Sequence, residues 1–336
     1  MVVTHGGNLF EVSRENGWDW REVLDFSASI NPLGPAPGVP DAIRNAIAKV
    51  AHYPEREPAR LRRALADLWQ VDEERILPGN GATELLHFFA RVEAHDQVTV
   101  AVPVFSEFHR AYPQALTVPA NNPQTWPKDK LLVLTQPNNP TGATMCPAAL
   151  EAWLAASANP VLIDESFLEF TGLPSAMNMP DRPNLFVLRS LTKFYALPGL
   201  RVGALVAAAD VVSRWREQRQ PWQVNVLAEE AALAAIADAE HARRTVEFVA
   251  AERAWLLSQL ESLGGVQASP SAANYIYVQL EYSAAALCRH FLDAKILIRN
   301  CTGSPGVQGE AVRIAVRTRR ENEKLIDRWR EFACAP

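Results

Sequence analysis

The stretch VLRSLTKFYALPGLR places Lys193 three residues past an apolar run, with Ser190, Thr192 and Arg201 close around it. A lone lysine is more often a solvated charge than a nucleophile. Here two hydroxyls and a guanidinium fork suit a dianionic phosphate, and an amine beside them can condense with a carbonyl. Ser190 to Lys193 also spell S-x-x-K, an acyl-enzyme signature, but the S-D-N-like and K-T-G elements that such hydrolases need do not occur in the chain.

Three further stretches end apolar runs in polar groups. PGNGATELL sets Gly79, Gly81, Ala82 and Thr83 at a helix start, which reads either as a capped tight turn or as an anion site made of free N–H groups. TQPNNPTGA, at 135–143, is a plain turn or a rigid loop whose Asn139 amide orients a planar ligand. LIDES brings Asp164 to the end of a buried run, where a carboxylate needs either a structural ion pair or a ligand's cationic nitrogen. An amine for a carbonyl, a phosphate cup, an acid for an aromatic nitrogen and an amide donor for a phenolic oxygen together describe pyridoxal 5'-phosphate. Asp164 would keep the pyridine nitrogen protonated and the ring electron-withdrawing.

These residues need a frame, and the runs QVTVAVP, LLVLTQP, PVLIDES, LFVLRS and VGALVAA supply one. Continuous apolarity predicts strands buried on both faces, hence a mostly parallel α/β sheet covered by helices. GATELLHFFARV and PAALEAWLAAS are helix candidates, a charged helix stops before Pro221, and 220–225 reads as an exposed turn. The Ala-rich run 226–263 reads as helix. Beyond LGG, the runs NYIYVQL and VRIAVRT predict a smaller α+β lobe. The expected division is a large domain at 41–240 and a small one made of 1–40 and 241–336.

With 336 residues, 48% of them apolar, the chain can bury a large core. A net charge of -5 with basic residues scattered among acids argues against a nucleic-acid partner. Four cysteines lack C-x-x-C or His-partnered spacing, so no metal site and no disulfide framework is expected. No signal-like N-terminus and no membrane-length apolar stretch is present, and a soluble, cytoplasmic protein is expected.

The ordered set GNGATE, PVFSEF, PNNPTG, DES and SLTK, with Arg201 eight residues beyond Lys193, resembles the fold-type I pyridoxal-phosphate enzymes, the aspartate aminotransferase superfamily, from about His5 to the last helix. The resemblance implies that Lys193 carries the coenzyme, Asp164 pairs with its ring nitrogen, Asn139 meets its phenolic oxygen and Phe108 stacks on the ring. It further implies that Ser190, Thr192, Arg201, Thr83 and the Gly81 and Ala82 amides hold the coenzyme phosphate. Tyr53 of HYPE would reach the neighbouring subunit's phosphate, so a homodimer with shared active sites is implied.

Within the superfamily, HGGN, LDFSASINPLG, LRSLTKFYALPGLR, PWQVN and ILIRNC are similar to the threonine-phosphate decarboxylases, with the histidinol-phosphate aminotransferases as the alternative. Where the latter carry D-E-A-Y, this chain has DESF, with Phe167 in place of a tyrosine hydroxyl. A small phosphorylated amino acid is the implied substrate. VRIAVRT puts Arg313 and Arg317 on one strand face, about 13 Å apart. Arg313 matches the substrate-carboxylate arginine, while Arg317 suits a second anion or pairs with a surface acid. His5 and Asn8 fold over the substrate phosphate or belong to a frayed terminus, and Asn31 is counted with the substrate residues.

Overall fold

The computed structural model describes residues 6–333 apart from 94, 96, 180 and 181. The first strand, Leu24–Asp25 (β1), is short and pairs in parallel with Ile296–Leu297 near the C-terminus, tying the N-terminal segment to the distal part of the chain. A seven-stranded sheet follows: Ile76–Gly79 (β2), Val98–Val102 (β3), Leu116–Pro119 (β4), Leu131–Thr135 (β5), Val161–Asp164 (β6), Leu185–Ser190 (β7) and Gly203–Val206 (β8). Its order is β2-β8-β7-β6-β5-β3-β4. β8 is antiparallel to both of its neighbours, and the other six strands run one way.

The continuous apolar runs are explained by the packing. Ile163, Leu185 and Val187 join a core on one face of the sheet, whereas Leu162, Phe186 and Leu188 join a second core on the other. Alternate side chains point to opposite faces, so a strand covered on both sides needs apolar residues at every position. The five expected strands are present. β2 is only four residues long and contains Pro78 and Gly79, and β4 is an edge strand with exposed Leu116; neither shows in the apolar pattern.

The charged helix ends at Gln218, ahead of Pro221. The following turn is exposed at Trp222 but buries Val224, so 220–225 is only partly a surface loop. The run 226–263 forms two helices, Val226–Ala237 and Ala239–Glu261. They part at Asp238, whose carboxylate accepts from the His241 N–H at 2.9 Å and so caps the second helix. A four-stranded sheet completes the chain: Val266–Ala268 (β9), Tyr275–Leu280 (β10), Arg299–Asn300 (β12) and Glu310–Ala315 (β13), with Ile296–Leu297 as β11. All its pairings are antiparallel, in the order β12-β13-β10-β9. Tyr275, Ile314 and Trp329 from this part join the same core as Ile163 and Val187, so the two sheets share one apolar interior.

Candidate active site

In open α/β sheets ligands sit beyond the carboxyl ends of the parallel strands. There the chain encloses a cavity of about 650 Å³ lined by Ala82 and Thr83 after β2, Phe108 after β3, Asn139 after β5, Asp164 ending β6, and Ser190, Thr192 and Lys193 at the end of β7. The reversed direction of β8 matters here. Gly203 lies opposite Ser190 on one side and Gly79 on the other, so Arg201, just before β8, arrives at the same rim.

Phosphate-binding chemistry is assembled on that rim. The Ser190 and Thr192 hydroxyls lie 2.8 Å apart, and Arg201 donates to the Pro198 carbonyl at 3.2 Å. Arg201 holds a left-handed backbone (φ 57°), a costly state for a residue with a Cβ. Gly81 (φ 87°) caps the helix Ala82–Val92, and a Cβ there would come within 2.7 Å of an Arg201 guanidinium nitrogen. A Cβ on Gly203 would stand 2.6 Å from the Arg189 carbonyl and 3.0 Å from the Ala82 nitrogen. Both glycines leave room for the backbone and guanidinium donors to converge. Gly81 shapes the rim, whereas Ala82 and Thr83 face the cavity.

Among the described residues none hydrogen-bonds the Lys193 side-chain amine, while its carbonyl is held by main-chain donors. Burial, with Arg201 and Arg313 nearby, lowers its amine to about 8 against the pull of Asp164. Such an amine is partly neutral near physiological pH, as a nucleophile must be. Asp164 accepts from the Ser166 N–H at 2.9 Å and the Ser166 hydroxyl at 2.5 Å, both through Oδ1, which leaves Oδ2 for a ligand. Burial pushes its carboxyl up, opposed by Ser166, Lys193 and Arg189; a cationic ring nitrogen would restore the ionised form. Asn139 accepts from Arg313 Nη1 at 2.6 Å. Arginine can only donate, so the Asn139 oxygen is spent and its NH₂ remains as a donor. These are the donors and charges that pyridoxal phosphate requires.

The outer part of the cavity holds Arg299, Arg313 and Arg317 together with Asp25 and Ser27. Arg313 also donates to the Ser27 carbonyl at 2.9 Å and stacks over Tyr275 at 5.0 Å. Arg299 faces Arg313 directly across β12 and β13. Burial and Arg313 both pull Arg299 below the ordinary guanidinium range. The sequence reading missed Arg299, although it lies inside ILIRNC. Gly6 and Gly7 also line the cavity, and the Gly7 N–H donates to the Ser27 hydroxyl at 3.0 Å.

Two expectations, Asn31 as a substrate residue and Arg317 on the strand face of Arg313, need correction. Asn31 does not line the cavity. Its amide nitrogen donates to the Phe194 carbonyl and to the Thr245 hydroxyl, each at 2.9 Å, and its oxygen accepts from the Leu33 N–H. Its own N–H donates to the Lys193 carbonyl at 3.0 Å, so Asn31 braces the lysine's backbone and has no amide group left for substrate. Arg317 lies beyond the last residue of β13, so alternation does not put it on a strand face with Arg313. It reaches the cavity from the turn, ion-paired to Glu321 at 2.8 Å and donating to the Asp25 carbonyl at 3.2 Å. Asn8 sits at the start of the helix Leu9–Asn16, outside the lining and with no capping bond from its side chain. Tyr53 is 79% exposed, stacked on Trp222 at 4.6 Å and remote from its own chain's cavity lining. His5 lies outside the described residues. Phe167 lines the cavity and packs edge-on against Tyr275, whose hydroxyl donates to the Asn138 carbonyl at 2.8 Å.

Among the described residues no cluster of His, Cys, Asp and Glu has the arrangement of a metal site, and no helix is long and apolar enough to cross a membrane. The family described as "Aminotransferase class I and II" matches residues 111–328. A threonine-phosphate decarboxylase of Salmonella typhimurium is 34% identical over 96% of this chain and 94% of its own length. A histidinol-phosphate aminotransferase of Moorella thermoacetica is 32% identical over 97% and 89%. The crystal structure of L-threonine-O-3-phosphate decarboxylase from Porphyromonas gingivalis superposes with a TM-score of 0.86 at 25% identity, covering 92% of this chain and 99% of that one. The chain belongs to the class I and II aminotransferase family and is a fold-type I pyridoxal-phosphate enzyme.

Proposed function

We propose that the protein decarboxylates L-threonine O-3-phosphate to (R)-1-amino-2-propanol O-2-phosphate, a step of cobalamin biosynthesis. The observation that carries this reading is the number of guanidinium groups beyond the coenzyme residues: Arg299, Arg313 and Arg317 line the cavity, and among the described lining residues the carboxylates are Asp25 and Asp164. Two opposed arginines at a strand pair cost stability unless anions bridge them. A substrate bearing both a carboxylate and a phosphate supplies two. The similarity to threonine-phosphate decarboxylases over nearly the whole chain supports the same reading.

Pyridoxal phosphate, when bound, supplies an aldehyde for amine exchange and a ring that accepts the electron pair released at the substrate Cα. The chain's residues do the rest in this proposal. Lys193 offers its amine to the coenzyme and takes or gives a proton next to Cα. Asp164 Oδ2 would accept from the protonated ring nitrogen, the Asn139 NH₂ would donate to the phenolic oxygen, and Phe108 would pack on the ring. Ser190, Thr192, Thr83, Arg201 and the Gly81 and Ala82 amides hold the coenzyme phosphate. Arg313 and Arg299 would hold the substrate's two anions at separate points, with Arg317, Gly6 and Gly7 lining the cavity beside them. Anchoring both ends would fix the rotation about Cα and so select which of its bonds breaks.

The same proposal includes the 41–240 and 1–40/241–336 division and a homodimer with shared active sites. Tyr53 and Trp222 stack at the surface, and Ile47 and Val50 are exposed as well, which fits a surface offered to a second copy. The aminotransferase reading is favoured by several relatives of similar weight, the Moorella aminotransferase among them. Incubation with threonine phosphate and no 2-oxoacid separates the two: CO₂ and aminopropanol phosphate support decarboxylation. Turnover only with 2-oxoglutarate and a phosphorylated amino alcohol refutes it.

A further inference from the structure

Directly behind the site, on the opposite face of the sheet, lies a cluster of charges that the chemistry above does not use. Asp164, Leu188 and Ser190 line the cavity, whereas Arg189 projects the other way, into the face that holds Ile163, Val187 and Trp69. Its side chain is 4% exposed. One guanidinium nitrogen donates to Glu165 at 2.9 Å and another to Glu169 at 2.6 Å, and the plane lies over Trp69 at 5.1 Å. Glu165 is 1% exposed and accepts in addition from the Ala176 N–H at 2.8 Å and from the Ser175 hydroxyl.

We infer that Arg189, Glu165 and Glu169 are positioning residues: from the rear of the sheet they set the two strand ends that present Asp164 and Ser190 to the coenzyme. Each is the sequence neighbour of a site residue or, for Glu169, the second anchor of the same guanidinium. Glu165 follows Asp164, and Arg189 precedes Ser190. The Glu165 N–H also donates to the Leu188 carbonyl at 2.9 Å, so β6 and β7 are joined twice at this level, once through main chain and once through the side-chain fork.

Stability alone is a poor reason for the cluster, because buried ions are expensive to desolvate and well-packed apolar replacements of a buried pair are often neutral or stabilising. What a forked, two-sided arginine provides is direction. It fixes the peptide planes on either side of Asp164 and Ser190 to within a hydrogen bond's tolerance. Arg189 also acts through space, since it is among the charges that hold the Asp164 carboxyl down against burial. The inference concerns coenzyme binding and is the same for a decarboxylase or an aminotransferase, so its failure would leave the proposed reaction standing.

The test uses the full-length protein with Arg189→Lys, Glu165→Gln and the double variant Glu165→Gln/Arg189→Met, which removes a matched pair of charges. Three quantities are read: the melting temperature of the apoprotein, the dissociation constant for pyridoxal phosphate, and the pH midpoint of the bound coenzyme's visible absorbance. Arg189→Lys keeps the charge and loses the fork, and is expected to weaken coenzyme binding by about tenfold or more, as loss of supporting partners does at other built sites. Glu165→Gln is expected to move the absorbance midpoint by about half a unit or more. The double variant leaves Glu169 without its guanidinium partner, so it should melt below the wild type and bind the coenzyme as poorly as the single ones. Variants that match the wild type in both affinity and midpoint, whatever their melting temperature, would make the cluster merely structural and overturn the inference. If Arg189→Lys fails to fold, Glu165→Gln and the double variant decide the matter by the same readings.

Discussion

Replacing Arg299 by Gln should stabilise the empty protein and cripple it toward phosphorylated substrate, two effects of opposite sign from one substitution. Arg299 and Arg313 are direct cross-strand partners. Like charges in that relation cost ~0.2–1 kcal/mol, and partial burial of Arg299 argues for the upper end. Relief of about 1 kcal/mol should raise the apoprotein's melting temperature by about 2 °C for a chain of this size. A phosphate held by a guanidinium fork loses two charge-assisted hydrogen bonds, about 2–4 kcal/mol, so affinity should fall roughly 30- to 1000-fold. Scanning fluorimetry of the apoprotein and the KM for threonine phosphate read the two effects, with Arg299→Lys expected between the wild type and Gln. If Arg299→Gln melts lower and leaves KM unchanged, the opposed arginines are not held apart for an anion, and the argument from the cavity's charge fails.

Two further outcomes follow from the coenzyme side. The Lys193 amine is lowered to about 8 in the folded apoprotein, whereas an unfolded lysine titrates near 10.5. Between those values the unfolded chain binds the extra proton, so this group's contribution to stability rises with pH through that window. Lys193→Met should therefore melt above the wild-type apoprotein at pH 7, by a ceiling of roughly 3 kcal/mol, with the gap closing as pH rises from 8 to 10.5; a pH-independent gap would contradict it. The same variant should have lost the coenzyme's visible absorbance. Gly81→Ala places a Cβ against the Arg201 guanidinium at a backbone angle unsuited to alanine. Coenzyme affinity, followed by titrating apoprotein, should drop at least about tenfold; an unchanged affinity would remove Arg201 from the phosphate site.

Much of the site is legible in the chain because its chemistry is local. Asp164, Ser190 and Lys193 each end or follow an apolar run, and a parallel sheet brings such ends to one rim, so residue type and strand order together suffice to collect them. The open helix start at Gly81–Thr83 and the Asn139 loop are legible for the same reason. Asn31, expected among the substrate residues, turns out to be a brace, and the chain does not tell the two apart because either use needs only a polar side chain beside a loop. Its partners, Phe194 and Thr245, are far away in sequence and nothing near Asn31 names them.

Strand direction and register were decided only by the tertiary structure. A strand buried on both faces carries no alternation, so VGALVAA does not reveal that β8 runs backwards, and that reversal is what delivers Arg201. The pairing of Arg299 with Arg313 is a register fact between two strands separated by a loop, and one residue of slip would turn the arginines to opposite faces. The Arg189 cluster sits inside runs that look uniformly apolar or catalytic, and only the pleat tells which of two adjacent residues meets the coenzyme and which meets the core behind it. The chain thus spells out most of the groups that gather at the candidate site, because their spacing along it is short. How they face one another depends on contacts between segments that the chain keeps far apart.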